Sequence, residues 1–171
     1  DSTYRAMISH HSEISKSAPP RVLEEIYRLM RGGAAVESLV LLHEVGALGL
    51  LLPEVAGWLR ERPAALDPYL QLLDEAVQAG ENPSNAALLI LLCAPVVAVL
   101  FDDATAPRDV LSYVEAMVDP LAARLKVARR DVERARQMLV MQRRVAQTRK
   151  RGGRLPPGIL SRDSTDRKSV V

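Results

Sequence analysis

Residues 82–101 read NPSNAALLILLCAPVVAVLF, and this stretch decides the fold class. The turn-forming residues at 82–84 are typical of a helix start, and the Leu- and Ala-rich run that follows favours a helix. The apolar part, 86–101, is shorter than the roughly 20 residues that span a bilayer, and Pro95 interrupts it. We therefore expect a buried core helix that continues to Leu100 with a kink near Pro95, and no membrane association.

The sequence on both sides of this run repeats the pattern of short apolar helices bounded by Pro and Gly. No window alternates apolar and polar residues for long enough to indicate a strand. We therefore predict an all-α fold, an irregular multi-helix bundle of antiparallel short helices, with a boundary at 60–63. The expected helices cover about 2–14, 20–31, 34–45, 55–60, 67–79, 108–118, 119–125 and 130–149.

Composition excludes several classes of protein. Aromatic residues make up only 4% of the chain, so the core must be built from aliphatic side chains. Cys93 is the only cysteine, which rules out an intrachain disulfide and a zinc site of the Cys-x-x-Cys kind. A lone cysteine and no secretory pattern fit a reducing compartment, and we expect a cytoplasmic protein.

No residue pattern carries a catalytic or metal-binding signature. His10 and His11 are adjacent and point to different sides of a helix, and His43 lacks the second histidine that a zinc protease helix needs. Cys93 lies in an apolar run, which predicts an inert thiol. The adjacent acids at 102–103 are typical of a turn and helix start. We predict no catalytic residue, no metal ligand and no cofactor in this chain.

Charge is divided unevenly along the chain. Residues 1–125 carry nine Lys or Arg and seventeen Asp or Glu, whereas residues 126–171 carry fourteen and four. Such a division indicates either a surface for a polyanion or a solvated helix face followed by a basic tail. Within the basic helix a row of residues repeats every seven positions and so shares one face. The row consists of Arg129, Arg136, Arg143 and Lys150.

Arginine guanidinium groups fit phosphate oxygens in a bidentate way, so this helix is the best candidate for RNA contact. Arg130 and Arg144 add to its positive charge. No aromatic residue lies among these arginines, so base stacking from this helix is not expected. The interaction that such a face can offer is a sequence-neutral, salt-sensitive contact with the phosphate backbone.

Two consecutive segments resemble bacterial poly(A) polymerases and the related CCA-adding enzymes. Residues 20–35, PRVLEEIYRLMRGGAA, are similar to the segment that joins the neck to the body in that family. Residues 38–54, SLVLLHEVGALGLLLPE, are similar to the helix pair that follows. Residues 85–92 and 129–144 are similar to the arginine-rich C-terminal part of the poly(A) polymerase branch.

The resemblance implies a function shared with a separate catalytic head domain. In the family a nucleotidyltransferase head, with a Gly-Ser motif and paired metal-binding aspartates, precedes the matched region and uses Mg and ATP. No counterpart of these motifs occurs here, and the activity of the chain itself stays open. The resemblance implies an RNA-binding C-terminal portion of a polynucleotide adenylyltransferase, which holds the backbone and 3′ end of RNA for the head domain.

The resemblance also names the regions on each side of the boundary. It implies a neck-like RNA-binding region over 1–62 and an arginine-rich helical region over 63–151, and we expect disorder over 152–171. Arg21 and Arg28 become candidate RNA contacts, although each could instead pair with a nearby glutamate on its helix. The alternative function is a helical protein-interaction scaffold that does not bind RNA.

Overall fold

The computed structural model describes residues 2–102 and 105–150, apart from the side chains of Ser15, Arg149 and Lys150. The expected disordered tail at 152–171 lies outside the described residues. Within them the chain forms ten α-helices and no strand, which confirms the predicted all-α, multi-helix fold. The helices are α1 (Ser2–His10), α2 (Pro19–Met30), α3 (Ala35–Glu44), α4 (Leu48–Leu51), α5 (Pro53–Glu61), α6 (Asp67–Gln78), α7 (Asn85–Leu92), α8 (Ala94–Val97), α9 (Val110–Arg124) and α10 (Arg129–Lys150).

The apolar helix α7 lies at the centre of the molecule, packed against α10 and α2. Its residues Leu88, Leu89 and Leu92 are fully buried. The hydrophobic core is continuous, and the predicted regions 1–62 and 63–151 both contribute side chains to it. The aliphatic core expected from the composition is therefore shared between the two regions.

The apolar run does not continue as one helix to Leu100, so that part of the prediction was wrong. Helix α7 ends at Leu92, α8 is a single turn, and residues Ala98–Phe101 form a 3₁₀ turn. Pro95 has no N–H to donate to the carbonyl four residues earlier, and its ring crowds that carbonyl. The helix therefore stops before the proline. Cys93, at the break, is fully buried, and burial raises the pKa of its thiol to about 12.

Helix α9 passes through a proline that was expected to separate two helices. The prediction of helices over 108–118 and 119–125 was wrong, because α9 runs from Val110 to Arg124 with Pro120 inside it. The lost hydrogen bond is the one to the carbonyl of Ala116. Both residues lie on the exposed side of the helix, where water can satisfy that carbonyl.

Helix α2 buries the face that its periodicity predicts. Leu23, Ile26, Tyr27 and Met30 recur at three- and four-residue spacing and are at most 6% exposed, so they form one buried helix face. The helix ends before Gly33, which adopts a φ of +74°, a backbone conformation that glycine accepts without strain. The turn leads directly into α3.

The first turn of α3 is held by a side chain from α6. The residue before α3, Ala34, provides no side-chain cap. Instead the buried carboxylate of Asp74 accepts hydrogen bonds from the backbone N–H of Ala35, at 2.7 Å, and of Val36, at 3.2 Å. Gln78 donates to the carbonyl of Gly33 at 2.8 Å. These contacts fix α3 on α6.

Helix α1 keeps its apolar stripe outside the core. Tyr4, Met7 and Ile8 are between 36% and 43% exposed, and no residue of α1 is buried. Only Ile14, in the 3₁₀ turn that follows, packs against the core. The apolar side chains of α1 therefore share one helix face, but nothing in the described chain covers the first half of that face.

Candidate nucleic-acid interface

Helix α10 has a packed side and an outer side. It lies against α7 and α9, and every fourth residue of its packed side is buried: Asp131, Ala135, Leu139 and Arg143. On the outer side Arg130, Arg134 and Arg144 are exposed. Positions 130 and 144 are fourteen residues apart, which is close to four turns of about 3.6 residues. We call these three residues the outer arginine face.

The predicted seven-residue row does not follow this outer side. Arg129 is exposed at the start of the helix, but the Arg136 side chain is 22% exposed and Arg143 is 7% exposed. The side chain of Lys150 lies outside the described residues. RNA contact by this row stays a prediction. A phosphate would have to displace existing contacts of Arg136 or Arg143 to reach them.

Arg136 is surrounded by carboxylates. Its Nη2 donates to both carboxylate oxygens of Asp119 at 2.5 and 2.6 Å, and its Nη1 lies 3.5 Å from Glu115 Oε1. Glu133, one turn earlier on α10, is 3.8 Å away. The hydrogen bonds to Asp119 raise the pKa of Arg136. This side chain therefore fastens α10 to α9.

A chain of hydrogen bonds anchors the start of α10 to α2 and α7. Asn85 Nδ2 donates to Asp131 Oδ2 at 3.3 Å, and Arg31 donates to Asn85 Oδ1 and, at 3.0 and 3.1 Å, to the carbonyl of Pro83. Arg130 Nε lies 3.4 Å from Asp131 Oδ1. The end of α2 and the start of α10 are thereby held next to each other.

Tyr27 lies directly beside this hydrogen-bond chain. The guanidinium carbon of Arg31 sits 5.6 Å from the centre of the Tyr27 ring, within the range of a cation–π contact. The ring is 1% exposed, and burial raises the pKa of its hydroxyl. The hydroxyl oxygen has no hydrogen-bond partner among the described residues. Tyr27 and Arg31 thus serve to build the junction, whereas Arg28, one turn earlier, stays exposed.

The two predicted arginines of α2 are both on the surface. Arg21 is exposed, and the Arg28 side chain is 79% exposed and lies 3.3 Å from Glu25 Oε2. The pairing with a helical neighbour that the sequence allowed is therefore present for Arg28. A surface pair of this kind contributes little, about 0.3 kcal/mol, and leaves the guanidinium accessible to a phosphate.

A second ion pair joins the N-terminal region to α9. Arg124 donates to both carboxylate oxygens of Glu54, at 2.8 and 2.6 Å, and to the carbonyl of Leu51 at 2.8 Å. Burial acts to raise the pKa of Glu54, but the hydrogen bonds from Arg124 outweigh it, and the pKa is lowered. Together with the α2–α10 junction, this pair holds the two predicted regions in one arrangement.

Sequence reasoning omitted Arg134 from the candidate contacts, although the side chain lies on the outer arginine face. Its four-residue spacing from Arg130 was the signal that could have placed it there. Within 2–102 and 105–150, no group of three or more His, Cys, Asp or Glu side chains is arranged to hold a metal ion. No helix in the described part of the chain is long and apolar enough to cross a membrane.

Comparison with known families found a match in the N-terminal part of the chain. Residues 1–59 match the family described as the probable RNA- and SrmB-binding site of polymerase A. The match supports a poly(A) polymerase-related RNA-binding region there, in agreement with the resemblance seen over 20–54. No curated protein and no solved structure matches the chain. The matched segment contains α1 to α4 and most of α5, including Arg21 and Arg28.

Proposed function

We propose that this chain is the RNA-holding portion of a bacterial polynucleotide adenylyltransferase, which binds the backbone and 3′ end of an RNA for a nucleotidyltransferase head. The observation that carries the proposal is the match of residues 1–59 to the RNA-binding family. Exposed arginines on α2 and α10 supply the chemistry. In this reading the head provides the ATP- and Mg-dependent transfer of adenosine, and this chain positions the acceptor.

The contacts are electrostatic. The outer arginine face presents three guanidinium groups along one side of a rigid helix, and Arg129 adds a fourth near its start. A guanidinium binds two phosphate oxygens at once, so each residue fixes both the position and the orientation of the backbone. Since none of these contacts reaches a base edge, the face holds RNA of any sequence.

The anchoring of α10 determines where this face lies relative to α2. Arg31, Asn85 and Asp131 connect the end of α2 to the start of α10, so Arg28 and Arg130 sit at neighbouring ends of two fixed helices. A strand that follows the outer arginine face towards the start of α10 then meets α2. Because the two helices that carry these arginines are already fixed, less conformational entropy is lost when RNA binds.

A binding titration of the full chain tests the proposal. Fluorescence anisotropy of a labelled single-stranded RNA measures the affinity at 50 mM and at 200 mM salt. Phosphate contacts by the six exposed arginines, four on α10 and two on α2, give a slope of about −4 on a log–log plot, so the fourfold rise in salt weakens binding by about 300-fold. The absence of binding at the lower salt concentration refutes the proposal.

A matched pair of variants locates the contacts. The triple variant R130A/R134A/R144A removes the outer arginine face, and R5A/R60A/R108A removes three exposed arginines from other helices and loops. Both variants lose the same net charge. We expect the first to flatten the salt slope by about 2 and the second to keep it. Equal losses in the two variants would show that only net charge matters and would refute the assignment.

The alternative, a protein-interaction scaffold, also has a specific observation behind it. The matched family is described as binding SrmB as well as RNA, and Val40, Leu41 and Leu50 are exposed apolar side chains within the matched residues. Mixing the chain with purified SrmB, with and without RNase, separates the two functions. A complex that persists after RNase treatment, in a chain that shows no RNA binding, supports the scaffold.

A further inference from the structure

A cavity of about 510 Å³ lies between the end of α5, the turn after α8 and the start of α9. Trp58, the only tryptophan of the chain, lines it while packing its remaining surface against the core. Tyr113 lines the cavity from α9, and its hydroxyl donates to the carbonyl of Val96 at 2.8 Å, which fixes the ring. The cavity has the size of a small-molecule site and is lined by two aromatic rings, of which the Tyr113 ring is fixed by a hydrogen bond.

The polar groups of this cavity have mixed charge. Glu61 and Arg62 lie next to each other at its edge, and both are exposed. Among the described residues Glu61 has no hydrogen-bond or ion-pair partner. Asp102 also lines the cavity, and its carboxylate accepts a hydrogen bond from Thr105 Oγ1 at 2.9 Å. Two carboxylates against one guanidinium make this a poor phosphate site, in contrast to the outer arginine face.

We propose that this cavity binds one unstacked guanine base of an RNA strand. Trp58 provides an apolar face for stacking, the usual means of holding a splayed base of single-stranded RNA. The two N–H groups on the Watson–Crick edge of guanine match the two oxygens of the Glu61 carboxylate. The O6 and N7 acceptors of the same base match the guanidinium fork of Arg62.

The other bases satisfy fewer of these groups. Adenine and cytosine offer one amino group and no pair of neighbouring N–H donors, so a carboxylate accepts a single hydrogen bond from them. Uracil offers one N–H flanked by two carbonyl oxygens, which the carboxylate repels. An arginine side chain of another protein could also stack on Trp58 and pair with Glu61. The positive charge of Arg62 at the same edge repels such a second cation.

The position of the cavity connects it to the basic helix. Helix α10 packs against the 3₁₀ turn Ala98–Phe101, and Ala98 and Val99 of that turn line the cavity. The proposal rests on the proposed function, since it names a base contact for the RNA whose backbone the arginines hold. The base site would add a preference for guanine to RNA binding that is otherwise independent of sequence.

Fluorescence of Trp58 reports on the site directly, because no other tryptophan contributes. The full chain is titrated with guanosine, adenosine, cytidine and uridine, which carry no phosphate and therefore do not engage the arginines. We expect a saturable change in Trp58 emission with guanosine and at least about tenfold weaker binding of the other three nucleosides. No saturable change, or equal affinity for all four, overturns the proposal whatever the result of the salt titration.

Variants at the exposed edge keep the test independent of folding. E61Q leaves one acceptor and one donor where guanine needs two acceptors, and we expect guanosine to bind about tenfold more weakly. E37Q, an exposed glutamate on α3, is the matched control and should bind as the parent does. Unchanged binding in E61Q, or a change in Trp58 emission with an oligoarginine peptide but none with guanosine, contradicts the assignment.

RNA binding that follows the predicted salt slope without any preference for guanosine leaves the proposed function standing and refutes only the base site. Guanosine binding without RNA binding would support the base site and refute the proposed function. A labelled RNA that contains a single guanine in a run of uracils, compared with the all-uracil strand, shows whether the site works within a polymer. We expect the guanine-containing strand to bind more tightly in the parent chain and equally to the all-uracil strand in E61Q.

Discussion

Replacing Asp74 by alanine removes the carboxylate that holds the start of α3. This carboxylate accepts from the N–H groups of Ala35 and Val36 at 2.7 and 3.2 Å, and it takes the place of a cap that Ala34 does not provide. Loss of a helix cap costs about 1 kcal/mol. Because Ala35 is fully buried, its N–H cannot turn to water, and an unsatisfied buried donor costs about 2 kcal/mol more. We expect D74A to lower the free energy of unfolding by about 3 kcal/mol.

Urea unfolding followed by helical circular dichroism measures this loss as a lower midpoint at an unchanged slope. The variant D74N keeps one acceptor oxygen and the shape of the side chain, so we expect about half of the effect. E75A, an exposed neighbour on the same helix, should stay within about 0.5 kcal/mol of the parent. A loss below about 1 kcal/mol in D74A, or a similar loss in E75A, would refute the capping argument.

Three further perturbations follow from the site. E54Q breaks the pair with Arg124 and should cost about 1–2 kcal/mol at neutral pH. The pKa of Glu54 is lowered, so the pair stabilises the chain fully above the ordinary pKa of a glutamate and loses this effect as pH falls through the lowered pKa. Urea midpoints of the parent and E54Q should therefore converge as the pH is brought below the ordinary pKa of a glutamate. R136M removes the ion pair with Asp119 and should lower the urea midpoint while RNA affinity stays nearly unchanged. R144A removes an exposed arginine and should lower RNA affinity while the urea midpoint stays the same. The opposite pattern in the two variants would contradict the placement of these residues. P120A restores a backbone N–H inside α9 and should raise the free energy of unfolding by about 1 kcal/mol, and a lower urea midpoint would count against the helix as described.

Local features of the fold could be predicted because each depends on residues close together in sequence. The apolar face of α2 follows from three- and four-residue spacing, and its end follows from Gly33. Pro95 correctly indicated that the apolar helix is interrupted. It did not indicate that the break would fall at Cys93. Pro120 misled for the same local reason, since the sequence does not show that the orphaned carbonyl faces solvent.

The candidate site was harder to predict because its geometry depends on partners distant in sequence. Arg136 and Arg130 have the same side chain and lie on the same helix, yet one lies against the acids of α9 and the other is largely exposed to solvent. Periodicity places residues on a common face, but only packing decides which face is covered. Asp74 could not be recognised as a cap, because the helix that it serves begins thirty-nine residues earlier.

The burial of Cys93 makes the chain convenient for site-specific chemistry. A fully buried thiol with a pKa of about 12 offers almost no thiolate to a maleimide near neutral pH. A cysteine engineered beside the outer arginine face or at the edge of the Trp58 cavity could therefore carry a dye without removal of the native one. The slow reaction that remains at Cys93 measures how often the core opens and exposes the thiol. One labelled sample can therefore report both where the RNA binds and how often the helices that hold it open.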